Sequence, residues 1–140
     1  MNGVVYFSRG GNTKKLADAI AKGAGASAAP MKEFKTTEAL DILFIGASIY
    51  AGIIDGDLRQ FLSALKPSQL KRAVVFGTAA GKKTALPEVK SILEANGVAV
   101  SDEEFHCRGS FLFVNRGRPN EEDLKQAEAF AKGVVSNYHG

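Results

Sequence analysis

The chain has 140 residues, 45% hydrophobic and 24% charged, with a net charge of +3. That balance is ordinary for a globular protein and suits one domain over residues 1–140. The lone cysteine, Cys107, excludes an intramolecular disulfide and suits a reducing cytoplasm, the expected compartment. No run approaches the roughly 18 apolar residues of a membrane span, and the chain enters strand-like sequence at once, with no leader pattern. Lys and Arg are scattered along the chain rather than gathered on one helix, which argues against a nucleic-acid partner.

Val4-Val5-Tyr6-Phe7 reads as a strand buried on both faces. From Asn12 the period becomes helical, with Leu16, Ala19, Ile20 and Gly23 on one face, and Gly23 and Gly25 are expected to end that helix. A second strand is expected over Ala26 to Met31. Ile42-Leu43-Phe44-Ile45 forms a third, ending at Gly46. Leu58, Phe61, Leu62 and Leu65 mark a helix stopped near Pro67. Ala73-Val74-Val75-Phe76 is a strand ending at Gly77. Val89, Ile92 and Leu93 mark the next helix, with Pro87 in its first turn and Gly97 past its end. A last strand lies between Val98 and Val114, and Asp102-Glu103-Glu104 reads as a solvated turn. Asn120 should cap a final helix whose first turn holds Glu121, Glu122 and Asp123 and whose apolar positions include Leu124, Ala127, Phe130, Ala131 and Val134. Phe44, Phe61, Phe76 and Phe130 are expected in the core.

Strands alternating with helices imply an α/β fold, a parallel sheet covered on both faces. In such folds ligands bind outside the carboxyl ends of the strands. Three glycine-containing connections should meet there, after Phe7, Ile45 and Phe76.

The first, Ser8-Arg9-Gly10-Gly11-Asn12-Thr13, joins a buried strand to a helix start, where backbone N–H groups and the helix dipole favour an anion. The glycines allow close approach, and the hydroxyls of Ser8 and Thr13 can donate to a phosphate. Neither a dinucleotide fingerprint nor a Walker loop fits; the run from Gly77 to Thr84 is one residue short of the latter and has Lys83 where a hydroxyl is needed. Phe7 to Thr13, followed by Leu16-Ala17, resembles the FMN phosphate loop of the flavodoxin family, with Gly10 where a hydroxyl is usual. The resemblance spans nearly the whole chain. It implies a three-layer, doubly wound, five-stranded parallel sheet of order 2-1-3-4-5, like a short-chain member.

The second connection, Gly46-Ala47-Ser48-Ile49-Tyr50-Ala51-Gly52, is similar to the flavodoxin loop that lays an aromatic ring on the flavin. By that likeness Tyr50 covers one ring face, and the peptides of Ala51 and Gly52 approach its reactive nitrogen. Gly52 would then ease the backbone change that accompanies one-electron reduction. The third, Gly77-Thr78-Ala79-Ala80-Gly81, corresponds to the loop around the flavin's pyrimidine edge. Nothing from Thr78 to Leu86 is aromatic, so a second stacking ring is not supplied there.

Elsewhere, Cys107 and His106 are neighbours in a strand and should point to opposite faces, which argues against a nucleophile pair. The two histidines make no metal cluster. Arg116-Gly117-Arg118 reads as a surface loop.

The resemblance implies electron transfer through non-covalently bound FMN. The partners would be redox proteins or a small quinone-like substrate. The alternatives are an FMN-dependent oxidoreductase acting directly on a quinone, and an interaction module without cofactor. Electron-carrier flavodoxins are typically acidic, whereas this chain has a pI near 9.0. Arg9, Lys82 and Lys83 place positive charge in or beside the expected site, which should raise the potential and change the partners.

Overall fold

The computed structural model describes residues 1–7, 11–35, 39–49, 54–79, 84–108 and 119–138. Five strands form one parallel sheet: β1 (Asn2–Tyr6), β2 (Ala28–Pro30), β3 (Leu40–Ile49), β4 (Leu70–Ala79) and β5 (Val100–Arg108). Their spatial order is β2-β1-β3-β4-β5. Among the described residues three helices lie between strands, α1 (Asn12–Ala24), α2 (Gly56–Ser63) and α3 (Leu86–Ala95), and a fourth, α4 (Glu121–Asn137), follows β5. A single 3-10 turn, Met31–Glu33, follows β2. The architecture is the expected α/β sheet, doubly wound.

The strands' alternation divides the core into two layers. Val4, Tyr6, Ile42, Phe44, Val74 and Phe76 face α1 and α4, where Leu16, Ile20, Ala127 and Ala131 meet them. Val5, Leu43, Ile45, Ala73 and Val75 face the other way, against Leu58 and Leu62 of α2 and Val89 and Leu93 of α3. Burial on both faces explains why the inner strands read as continuous apolar runs. Cys107 is buried on the α1 and α4 side.

α4 starts as expected: Asn120 Oδ1 accepts from the Asp123 N–H at 2.9 Å, and Asp123 Oδ2 accepts from the Asn120 N–H at 2.8 Å. The end of α2 is tied down from α3, because the Asn96 amide donates to the carbonyls of Leu62, Ser63 and Leu65 at 3.0–3.2 Å.

Four expectations change. Gly23 does not end α1 but lies inside it, facing α4: a Cβ there would sit 2.1 Å from the Glu128 carbonyl oxygen. β3 and β4 do not end at Gly46 and Gly77; both continue, pairing through Ile49 and Ala79. At Gly46 the missing side chain makes room for the Phe76 ring, whose Cζ would lie 2.5 Å from a Cβ. Asp102, Glu103 and Glu104 are not a turn but part of β5, at an irregularity where the pairing with β4 steps from Ala73–Val100 to Val75–Glu104 and the Ser101 hydroxyl accepts from the Glu103 N–H at 3.1 Å; among the described residues β5 is an edge strand. Finally, Phe61 and Phe130 are half-buried at the rim of the core, against Phe34 and Phe105 respectively, each at 5.8 Å between ring centres.

Candidate functional site

The three connections start or finish on described residues at the carboxyl edge of the sheet. α1 begins there with Gly11 as its N-cap, at φ +83°, a conformation that favours glycine. Among the described residues nothing stands within 4 Å of where a Gly11 Cβ would be. The first turns of α2, α3 and α4 carry acidic residues; that of α1 carries none. It holds Lys14 and Lys15 instead, so the positive end of the helix dipole is left for an anion. Lys14 lies 3.2 Å from Asp18, whose hydrogen bond and charge hold the ammonium above the ordinary lysine range.

Thr13, the second residue of α1, is fully buried where the three connections meet. Its Oγ1 lies 3.2 Å from Oγ1 of buried Thr78 on β4. Its Cγ2 stands 3.1 Å from where a Cβ on Gly46 of β3 would be. The expected site thus has a shared floor built from β3, β4 and the start of α1. Ala47 contributes no exposed side chain to it, being buried on the α2 and α3 side of the sheet. Ser48, Ile49 and Ala79 are strand residues paired in register, Ser48 with Thr78 and Ile49 with Ala79. Ser8, Arg9, Gly10, Tyr50, Ala51, Gly52, Ala80 and Gly81 lie outside the described residues.

A contact the sequence reading missed lies on the far side of these connections. Glu88, in the first turn of α3, accepts a hydrogen bond at Oε1 from the Ile54 N–H at 3.2 Å. Its Oε2 accepts from Arg59 Nη2 on α2. Ile54 follows segment 50–53, and its side chain is buried in the same cluster as Ala85, which follows segment 80–83. The sequence places Pro87 in this first turn, but nothing local singles out Glu88 or points to Ile54.

His106 borders a narrow crevice with Ala47, Gly77, Ala85 and Glu104, on the opposite side of β5 from Cys107. Among the described residues no group of three or more His, Cys, Asp or Glu could hold a metal ion. Among them, too, no helix is long and apolar enough to cross a membrane.

A parallel sheet of this order defines a doubly wound α/β protein, a class whose ligands sit outside the carboxyl ends of the strands. The chain belongs to the flavodoxin family, whose flavodoxin domain matches residues 3–118. It is 28% identical over 139 residues to an uncharacterized protein of Methanocaldococcus jannaschii, covering 90% of this chain and 91% of that one. Among solved structures, a flavodoxin from the domain Archaea superposes with a TM-score of 0.77 at 20% identity, over 97% of each chain. Flavodoxin 2 of Bacillus cereus gives 0.72 at 18% identity, over 98% of this chain and 99% of that one. At such identities the structures speak to the fold. Members of the flavodoxin family generally bind FMN.

Proposed function

We propose that this chain binds FMN non-covalently at the carboxyl edge of the sheet and carries electrons between redox partner proteins in the cytoplasm. The observation that carries the reading is the start of α1 at the carboxyl edge of the sheet, glycine-capped and without an acid in its first turn. The residues present fit the cofactor there. A phosphate would be held by backbone N–H groups at Gly11, Asn12 and Thr13, with Ser8, Arg9 and Gly10 in the same connection. Thr13 and Thr78 hold the floor rigid beneath it. Tyr50 is assigned to one face of the ring, and Ala51, Gly52 and residues 78–81 to its edges. The bound flavin supplies the electron chemistry; the chain supplies position and electrostatics. Arg9, Lys82 and Lys83, in connections at this edge, favour partner proteins with an acidic docking face.

Titrating the purified protein with FMN, followed by flavin fluorescence quenching and the visible spectrum, tests the reading. Saturable one-to-one binding is expected. A protein that stays colourless after FMN addition and gel filtration overturns it.

The absence of an aromatic residue from Thr78 to Leu86 favours a second reading, in which the ring reacts directly with a quinone-like substrate. NAD(P)H–quinone turnover no faster than that of free FMN removes it.

A further inference from the structure

We propose that Glu88 is a positioning residue for the cofactor, fixing Ile54 where the chain leaves the Tyr50 connection; this rests on the FMN-binding reading above. Glu88 belongs to α3, yet its carboxylate acts on the opposite connection. Oε1 accepts from the Ile54 N–H at 3.2 Å, immediately after segment 50–53. Oε2 accepts from Arg59, one turn into α2. Ile54 is held twice more. Its side chain is 2% exposed, and the next residue, Asp55, caps α2 by accepting from the Asp57 N–H at 2.8 Å.

The carboxylate therefore joins the exits of two connections assigned to the flavin. Segment 80–83 leads through Thr84 and Ala85 into the helix turn that bears Glu88, and segment 50–53 ends on the N–H that Glu88 binds. The hydrogen bond ties α3 to the backbone of the residue following the Tyr50 connection, beside the packing of the Ile54 side chain in the same core layer as Val89 and Leu93. A purely structural role would need only the ion pair with Arg59, which ties α2 to α3. The bond to Ile54 is not needed for that purpose. A carboxylate at the α3 amino end is also favoured by the helix dipole, which holds the acceptor in place.

The two contacts can be separated. Glu88→Ala removes both. Glu88→Gln keeps a neutral oxygen for the Ile54 N–H and discards the charge. Arg59→Ala discards the ion pair and leaves the Ile54 bond. Each variant is titrated with FMN beside the wild type, and the midpoint potential and visible circular dichroism of the bound flavin are recorded. The wild type is expected to bind. Glu88→Ala should weaken FMN about five- to tenfold, the equivalent of one backbone hydrogen bond, with a changed flavin dichroism and potential. Arg59→Ala and Glu88→Gln should stay within about twofold, since both keep an acceptor on Ile54.

Failure of the wild type to bind FMN overturns the functional reading and this proposal together. Wild-type binding with Glu88→Ala matching Arg59→Ala in affinity, potential and dichroism overturns this proposal alone. So does a Glu88→Gln as weak as Glu88→Ala. If Glu88→Ala does not fold, Glu88→Met, which keeps the length of the side chain without an oxygen acceptor, takes its place and is read against Arg59→Ala in the same way.

Discussion

Replacing Gly23 by alanine should weaken the packing of α1 on α4. Two effects oppose each other. Alanine inside a helix is favoured over glycine by about 1 kcal/mol. Against that, the new Cβ would lie 2.1 Å from the Glu128 carbonyl oxygen, 2.9 Å from its carbon and 3.1 Å from Ala131 Cβ. The obstacle is helix backbone, which cannot rotate aside, so the two helices must part by roughly 1 Å and give up close contact along their shared seam. Overpacking of this kind costs about 1–3 kcal/mol, and a rigid obstacle puts it in the upper part of that range. The net loss should be about 1–2 kcal/mol, or a Tm lowered by about 3–8 °C. Urea denaturation followed by far-UV circular dichroism measures it, with an unchanged m-value showing that two-state unfolding persists. An unchanged or raised Tm in Gly23→Ala would show that the helix gain outweighs the clash, and the reasoning about this seam would be wrong.

Asn120→Ala removes the acceptor for the Asp123 N–H, leaves the bond from its own backbone N–H to Asp123 Oδ2, and should lower stability by about 1 kcal/mol, seen as a lower urea midpoint. Thr78→Val takes one buried partner from Thr13 and should cost about 0.5–1.5 kcal/mol; the Thr13→Val, Thr78→Val double variant should cost less than the sum, because the contact is shared. Asp102→Asn should show a pH-dependent effect. The hydrogen bond and charge of Lys90 hold the Asp102 carboxyl below its ordinary range, and Asp102 raises Lys90. The carboxylate's contribution is present above its unfolded value of about 3.9 and is lost as pH falls through the depressed folded value. That of the ammonium is lost as pH rises through its raised folded value, above about 10.4. The Tm difference between wild type and Asp102→Asn should therefore be level between about pH 5 and 9, close in acid, and shrink with added salt. A difference that persists at full size below about pH 2, or that grows with salt, refutes the assignment.

The interiors of the strands were legible because burial on both sides leaves an unbroken apolar run, as in Ile42 to Ile45 and Ala73 to Phe76. Their ends were not. Gly46 and Gly77 look like breaks, but each is small to admit something distant in sequence: the Phe76 ring in one case, the Ala47 carbonyl in the other. Gly23 repeats the lesson with α4. The charged run Asp102 to Glu104 resembles a turn because β5 bulges there, its pairing stepping from Ala73–Val100 to Val75–Glu104, a property of its register with β4. At the candidate site, the glycine before α1 was readable because its neighbours form a local strand-to-helix pattern. Glu88 was not, since its partner Ile54 stands 34 residues earlier and meets it only once both core layers are in place.

The burial of Cys107 has a practical consequence. It is the chain's single thiol, 8% exposed, on a strand that among the described residues has one neighbour. A thiol-reactive dye can reach it when β5 peels from β4 or when the whole fold opens, and the two routes respond differently to denaturant. Labelling rates across a urea series thus time the opening of this margin with no engineered probe. The same opening bares β4's hydrogen-bonding groups to another copy of the chain, so the labelling clock also gauges the first step toward sheet-to-sheet aggregation.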